Sequence, residues 1–195
     1  MSFRQIFLGL NLGLCLAFQH TIAATEPLER TQKFVDAMIA VEPNNEKSYQ
    51  KIDAFINYEQ ITSATIKPHR KYFNNQQAKK FKKLLRALIR KVSYPDSGAF
   101  YKESKYTYQK PKVTASKAVV IMDVLLVEED LDLELGYYWS KDDKGEWKLV
   151  DLSFDEDSLV KDYQNQFGRI LSKGSADDLI KKLEDKLSEL NKNNK

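Results

Sequence analysis

The chain has 195 residues, of which 42% are hydrophobic and 11% aromatic, with a single cysteine and a formal charge of +3. That is enough chain for one domain with a sizeable core. Its interspersed Lys, Asp and Glu exclude the one-sided basic signature of a nucleic-acid-binding protein, and its single Cys15 excludes an intrachain disulfide.

The first residues read as a secretory leader: Arg4 gives the positive start, Ile6 to Phe18 is mostly apolar, and Thr21 to Ala24 offers small residues for cleavage. The expected division is a leader over residues 1–24 and one α+β domain over 25–195. Removal of Arg4 lowers the charge from +3 to +2. The apolar run is too short for a bilayer-spanning helix and contains Asn11. Cys15 departs with the leader, and Leu14 stands where a lipidation signal wants a small residue. The processed protein is therefore expected to be exported, soluble and free of thiols.

Leu28, Phe34, Val35, Met38 and Ile39 predict a helix ending near Glu42 to Asn45, and Ser48 to Asn57 suits a second helical piece. The clearest helix spans Asn75 to Ser93, where Ala78, Phe81, Leu84, Leu85, Leu88, Ile89 and Val92 recur at spacings of three and four. Tyr101, Tyr106 and Tyr108 fall in a strand-like stretch. Lys117 to Val127 is apolar at nearly every position and predicts a strand covered on both faces.

Strict alternation from Leu131 to Trp139, a turn at Asp142 to Gly145 and a strand from Trp147 predict a hairpin. In that second strand Trp147 and Leu149 share one face, and Val150, Leu152 and Phe154 the other. Leu159, Tyr163, Phe167, Ile170 and Leu171 then share a helical face that Gly174 is expected to close. Ser175 and Asp178 form a capping-box pattern ahead of a last helix from Ala176 to about Leu190. Helices, a meander of strands and helices again define an α+β fold, with a curved antiparallel sheet covered by helices on one face.

No phosphate-binding loop, dinucleotide fingerprint, zinc motif or nucleophile elbow is present. Only His69 follows the leader, so one chain cannot build a multi-histidine metal site. Asp123 interrupts an apolar strand, where burial would suit it to general-base work; a structural pair or a sheet-edge position is the plainer reading. His69 reads as structural. The Asn75–Ser93 helix also carries Lys79, Lys80, Lys82, Lys83, Arg86, Arg90 and Lys91, a face suited to anionic head groups, an acidic protein or plain solvent. From periodicity alone the aromatic residues read as core.

Trp147 to Leu187 resembles, in order and spacing, the strand, Ser-Leu-Val helix start, aromatic-rich helix and terminal Leu-Ile-x-x-Leu helix of the MlaC family of periplasmic phospholipid-binding proteins. Ile66 to Tyr94 is similar to that family's Phe-rich amphipathic segment. Glu156-Asp157 stands where a Gly-Val pair is usual, and Lys67 replaces a common Gly.

The resemblance implies a sheet of NTF2- or cystatin-like outline that encloses an apolar cavity for lipid acyl chains. It implies no catalysis and no cofactor or metal, with bound phospholipid as cargo. It also implies a monomeric periplasmic shuttle that maintains outer-membrane lipid asymmetry. The implied partners are an outer-membrane lipoprotein–porin complex and an inner-membrane ABC transporter with a lipid-binding ring. Facing stripes then suggest a chamber lined by Phe81, Leu84, Leu85, Leu88, Val120, Met122, Val150, Leu152, Tyr163, Phe167 and Ile170, with Lys79, Lys82 and Lys83 as docking residues. The alternatives are an enzyme using Asp123 on a small hydrophobic substrate, and a carrier of hopanoid-type lipids.

Overall fold

A computed structural model describes residues 14–193, with side chains over 25–192. The first thirteen residues of the expected leader, and the side chains of the rest of it, lie outside the described residues. Helix α1 (Leu14–Ile39) is followed by α2 (Glu46–Asp53), α3 (Tyr58–Ile66), a 3-10 turn (Lys67–Tyr72), α4 (Asn75–Ser93) and α5 (Ser97–Glu103). Strands β1 (Ser104–Tyr108), β2 (Lys112–Val113), β3 (Lys117–Leu126), β4 (Leu131–Lys141), β5 (Trp147–Phe154) and β6 (Asp157–Ser158) lead to α6 (Leu159–Leu171) and α7 (Ala176–Asn193).

Local chemistry fixes the helix starts. Asn45, Asn57 and Ser158 each accept a backbone N–H three residues on, and Asn74 with Gln77 forms a complete capping box. The reciprocal pair at Ser175 and Asp178 is present, with Ser175 N–H donating over 2.8 Å and Asp178 N–H returning over 3.2 Å. Gly174 does not act as a left-handed cap, since the positive-φ glycine among the described residues is Gly145. A Cβ at Gly174 would instead fall 2.9 Å from the Asp178 carboxylate, so the glycine makes room for that box.

The sheet runs β1-β3-β4-β5-β6, antiparallel throughout, with β2 also paired to β3. In β3 only one face is covered: Ala118, Val120, Met122 and Val124 are buried, whereas Val119, Ile121 and Leu125 are half-buried and Asp123 is exposed. The expected double burial fails because the helices lie on one side only. Tyr101, expected in a strand, sits in the short helix α5.

A bulge corrects the facing of β5. Tyr138 pairs with Asp151 and Trp139 with Leu149, leaving Val150 as the extra residue. The alternation slips there, so Leu149 and Leu152 both join the inner side and Val150 belongs to neither apolar cluster.

A two-residue turn joins β5 to β6, and both its residues, Asp155 (φ 47°) and Glu156 (φ 70°), have positive φ. This is the backbone of a type I′ hairpin turn, which favours Gly at its second position.

The apolar side chains fall into two clusters. One joins α1, α2, Tyr94 and Tyr101 to the inner sheet face, and the other joins the ends of the 3-10 turn to α4, α6 and α7. The Nε1–H of Trp139 donates to Thr31 Oγ1 over 2.9 Å, pinning α1 to the sheet.

Candidate functional site

Between the two clusters lies an apolar crevice. Its walls include Phe34 and Met38 from α1, Leu149 and Leu152 from β5, Ile61 from α3, Ile89 from α4, and Leu159, Val160 and Tyr163 from α6. Ser93, Tyr94 and Asp151 supply its polar groups. The enclosed space is about 70 Å³, far below the roughly 300–1,000 Å³ of ordinary ligand pockets. The walls are thus in near contact, and a large ligand fits only where they part.

The suggested chamber residues divide across this seam. Val120 and Met122, both fully buried, belong to the sheet cluster, with Leu152 packed against it. Phe81, Leu85 and Phe167 are buried in the helical cluster, and Leu84, Leu88, Tyr163 and Ile170 pack against it. Phe81 is held edge-on between Phe73, at 5.5 Å, and Phe167, at 5.4 Å. Of the suggested residues, Leu152 and Tyr163 line the crevice itself. Ile61 and Ile89, on the α3 and α4 side, were not among them; Ile89 lies on the predicted stripe, but nothing in sequence marks its place at the seam.

The crevice rim is tied by a polar network. The Tyr94 hydroxyl donates to Asp53 Oδ1 over 2.8 Å and the Tyr58 hydroxyl reaches the same oxygen over 3.0 Å. Arg86 pairs with Asp53 Oδ2 at 3.0 Å, and Arg90 pairs with Glu46 at 2.8 Å. Burial above all holds both phenols protonated well above the usual tyrosine range, with Tyr58 and then Asp53 adding to the rise at Tyr94, and Asp53 adding to it at Tyr58.

Asp151 is also committed to structure. Its carboxylate accepts from Ser158 Oγ–H and, over 3.1 Å, from Val160 N–H, which fixes the start of α6 against β5.

Asp123 accepts a hydrogen bond from Gln109 Nε2 over 2.9 Å on the exposed outer face. The burial on which its general-base reading rests is absent. His69 Nε2 lies 2.8 Å from the Gln164 carbonyl, and its ring fills the space over Gly168. Among the described residues no group of His, Cys, Asp or Glu could hold a metal ion, and no helix is long and apolar enough to cross a membrane.

Of the suggested docking residues, Lys82 is ion-paired with Glu59, while Lys79 and Lys83 are exposed on α4. Lys80 pairs with Glu184 at 2.8 Å.

Fold and seam together define an α+β protein in which a half-open sheet and a separate helical layer enclose an apolar crevice. The chain belongs to the MlaC family, described as MlaC protein, which it matches over residues 34–185. Among solved structures it resembles the phospholipid-binding protein from Ralstonia solanacearum, determined in complex with a phospholipid. The TM-score is 0.66 at 19% identity, covering 86% of this chain and 98% of that one. No curated protein matches the chain.

Proposed function

We propose that this protein is a carrier that buries the acyl chains of a phospholipid between its two apolar clusters and performs no chemistry on them. The observation that carries the reading is the crevice itself: an apolar seam between two separately packed layers, with Ser93, Tyr94 and Asp151 as its polar groups. Family membership and the phospholipid-binding neighbour from Ralstonia solanacearum support it.

The energetics suit carriage. A diacyl lipid of roughly thirty methylenes forfeits about 24 kcal/mol in water at about 0.8 kcal/mol each, so a carrier must offer an apolar chamber. Loading here requires the clusters to part, and the contact they recover on unloading offsets part of the gain. Cargo is thereby held without being trapped.

In this reading residues 1–24 are a cleaved leader and 25–195 a single periplasmic, monomeric domain. The protein shuttles lipid between an outer-membrane lipoprotein–porin complex and an inner-membrane ABC transporter, so maintaining outer-membrane asymmetry, and Lys79, Lys82 and Lys83 contribute to docking. The test is transfer of a fluorescent phospholipid between donor and acceptor vesicles. Transfer proportional to protein concentration is expected; transfer no faster than spontaneous exchange contradicts the reading.

A further inference from the structure

The 3-10 turn Lys67–Tyr72 forms an exposed ridge on the helical layer, and none of its residues is buried. It is firmly seated all the same. Ile66 and Phe73, flanking it, are buried in the helical cluster, and His69 is tied to the Gln164 carbonyl.

A groove runs along each side of this ridge. One, of about 620 Å³, is lined by Lys67, Arg70, Lys79 and Lys82, and the other, of about 550 Å³, by His69, Lys161 and Arg169. No Asp or Glu lines either groove; beside them, Glu59 pairs with Lys82 and the exposed Asp162 follows Lys161 on α6. Among the described residues, Lys67, Lys79, Lys161 and Arg169 make no ion pair within the chain. At the end of the ridge Tyr72 is 40% exposed, with Lys71 Nζ 5.3 Å from its ring centre.

We infer that this ridge is a docking surface for an anionic phospholipid bilayer, separate from the crevice between the clusters. The cations flank a convex ridge instead of converging on one point, which suits a plane of phosphates. Tyr72 is of the residue type that settles at the headgroup level of a membrane. A tight protein partner would instead want a central apolar pocket for an anchoring side chain, whereas Lys67, Arg70, Lys79 and Lys82 line one groove and Lys161 and Arg169 the other. Docking in this way brings the carrier to a membrane before any protein partner is engaged.

The experiment is co-sedimentation of the purified protein with vesicles of phosphatidylcholine alone or with about 30 mol% phosphatidylglycerol. Binding is expected only to the anionic vesicles, and it should be lost in 0.5 M salt, where screening shortens to about 4 Å. Each juxtamembrane cation contributes about fivefold. Lys67→Gln with Lys79→Gln should therefore weaken binding about 25-fold, whereas the same charge change at Lys102 and Lys144 should alter it less than twofold. Equal binding to both vesicle types, or equal losses in the two double variants, overturns the proposal. So does capture of an acidic protein by the ridge without vesicle binding. Lipid occupancy of the same variants, read by native mass spectrometry, keeps failure of docking distinct from failure of carriage.

Discussion

Tyr94 donates to Asp53 over 2.8 Å, and that bond ties the end of α4 to the end of α2. The body of α4 packs in the helical cluster, yet Tyr94, its C-cap, belongs to the sheet cluster. One carboxylate thus joins the two layers that the crevice separates. Asp53→Ala takes the carboxylate acceptor from two buried phenols and from Arg86, and should destabilise the protein by about 3 kcal/mol in urea unfolding. Arg86→Ala should cost less than about 1 kcal/mol, because that side chain is 51% exposed. Equal losses would deny Asp53 its central place.

The buried phenols set an alkaline limit. Burial pushes Tyr101 up to about 12 from its usual 10.0, chiefly by disfavouring the phenolate. The folded state holds that proton more tightly than the unfolded chain does. Its contribution is therefore complete below pH 10 and is lost as pH climbs through 12. Unfolding midpoints should fall between pH 10 and 12, and Tyr101→Phe should flatten that slope. An unchanged slope would remove Tyr101 from the account.

At the β5–β6 turn Glu156 holds φ at 70°. A side chain there is strained, so Glu156→Gly should raise stability by about 0.5–1 kcal/mol by relieving the left-handed backbone. A loss of stability would show that the Glu156 side chain makes a compensating contact.

Crevice and closed core respond differently to substitution. Phe81→Ala removes a fully buried ring from the helical cluster and should cost about 3–5 kcal/mol. Leu159→Trp fills the seam from its partly exposed rim, and should lower lipid occupancy about tenfold with little change in thermal midpoint. The reverse pattern would move the lipid into the helical cluster.

Gly168 lets the His69 ring lie on α6, since a Cβ there would come within 2.8 Å of Cε1. Gly168→Ala should therefore cost about 1–3 kcal/mol by overpacking, and His69→Ala should recover most of it in the double variant. Additive losses would show that the two residues are not in contact.

Periodicity was legible wherever one face meets the core along a whole element. Asn75 and Ser93 were both placed correctly because an uninterrupted apolar stripe runs the length of α4. A bulge has no such signature. Val150 looks like any strand residue, and only its mismatch with β4 turns Leu152 inward. The double burial expected of β3 failed because a run of apolar residues does not say whether both faces of a strand are covered, and Asp123 lies on the uncovered one. The chamber residues show the deeper limit: alternation separates inside from outside, but it cannot tell Phe81, locked in one cluster, from Tyr163, at the seam between two.

The central claim is that lipid occupies that seam, and native mass spectrometry of the protein purified from its own host, followed by organic extraction, tests it most directly. The account predicts one diacyl phospholipid per chain, lost in Leu159→Trp and retained in Lys67→Gln. A ligand-free mass that also resists added phospholipid would contradict it, and would make the crevice an ordinary boundary between two halves of a core.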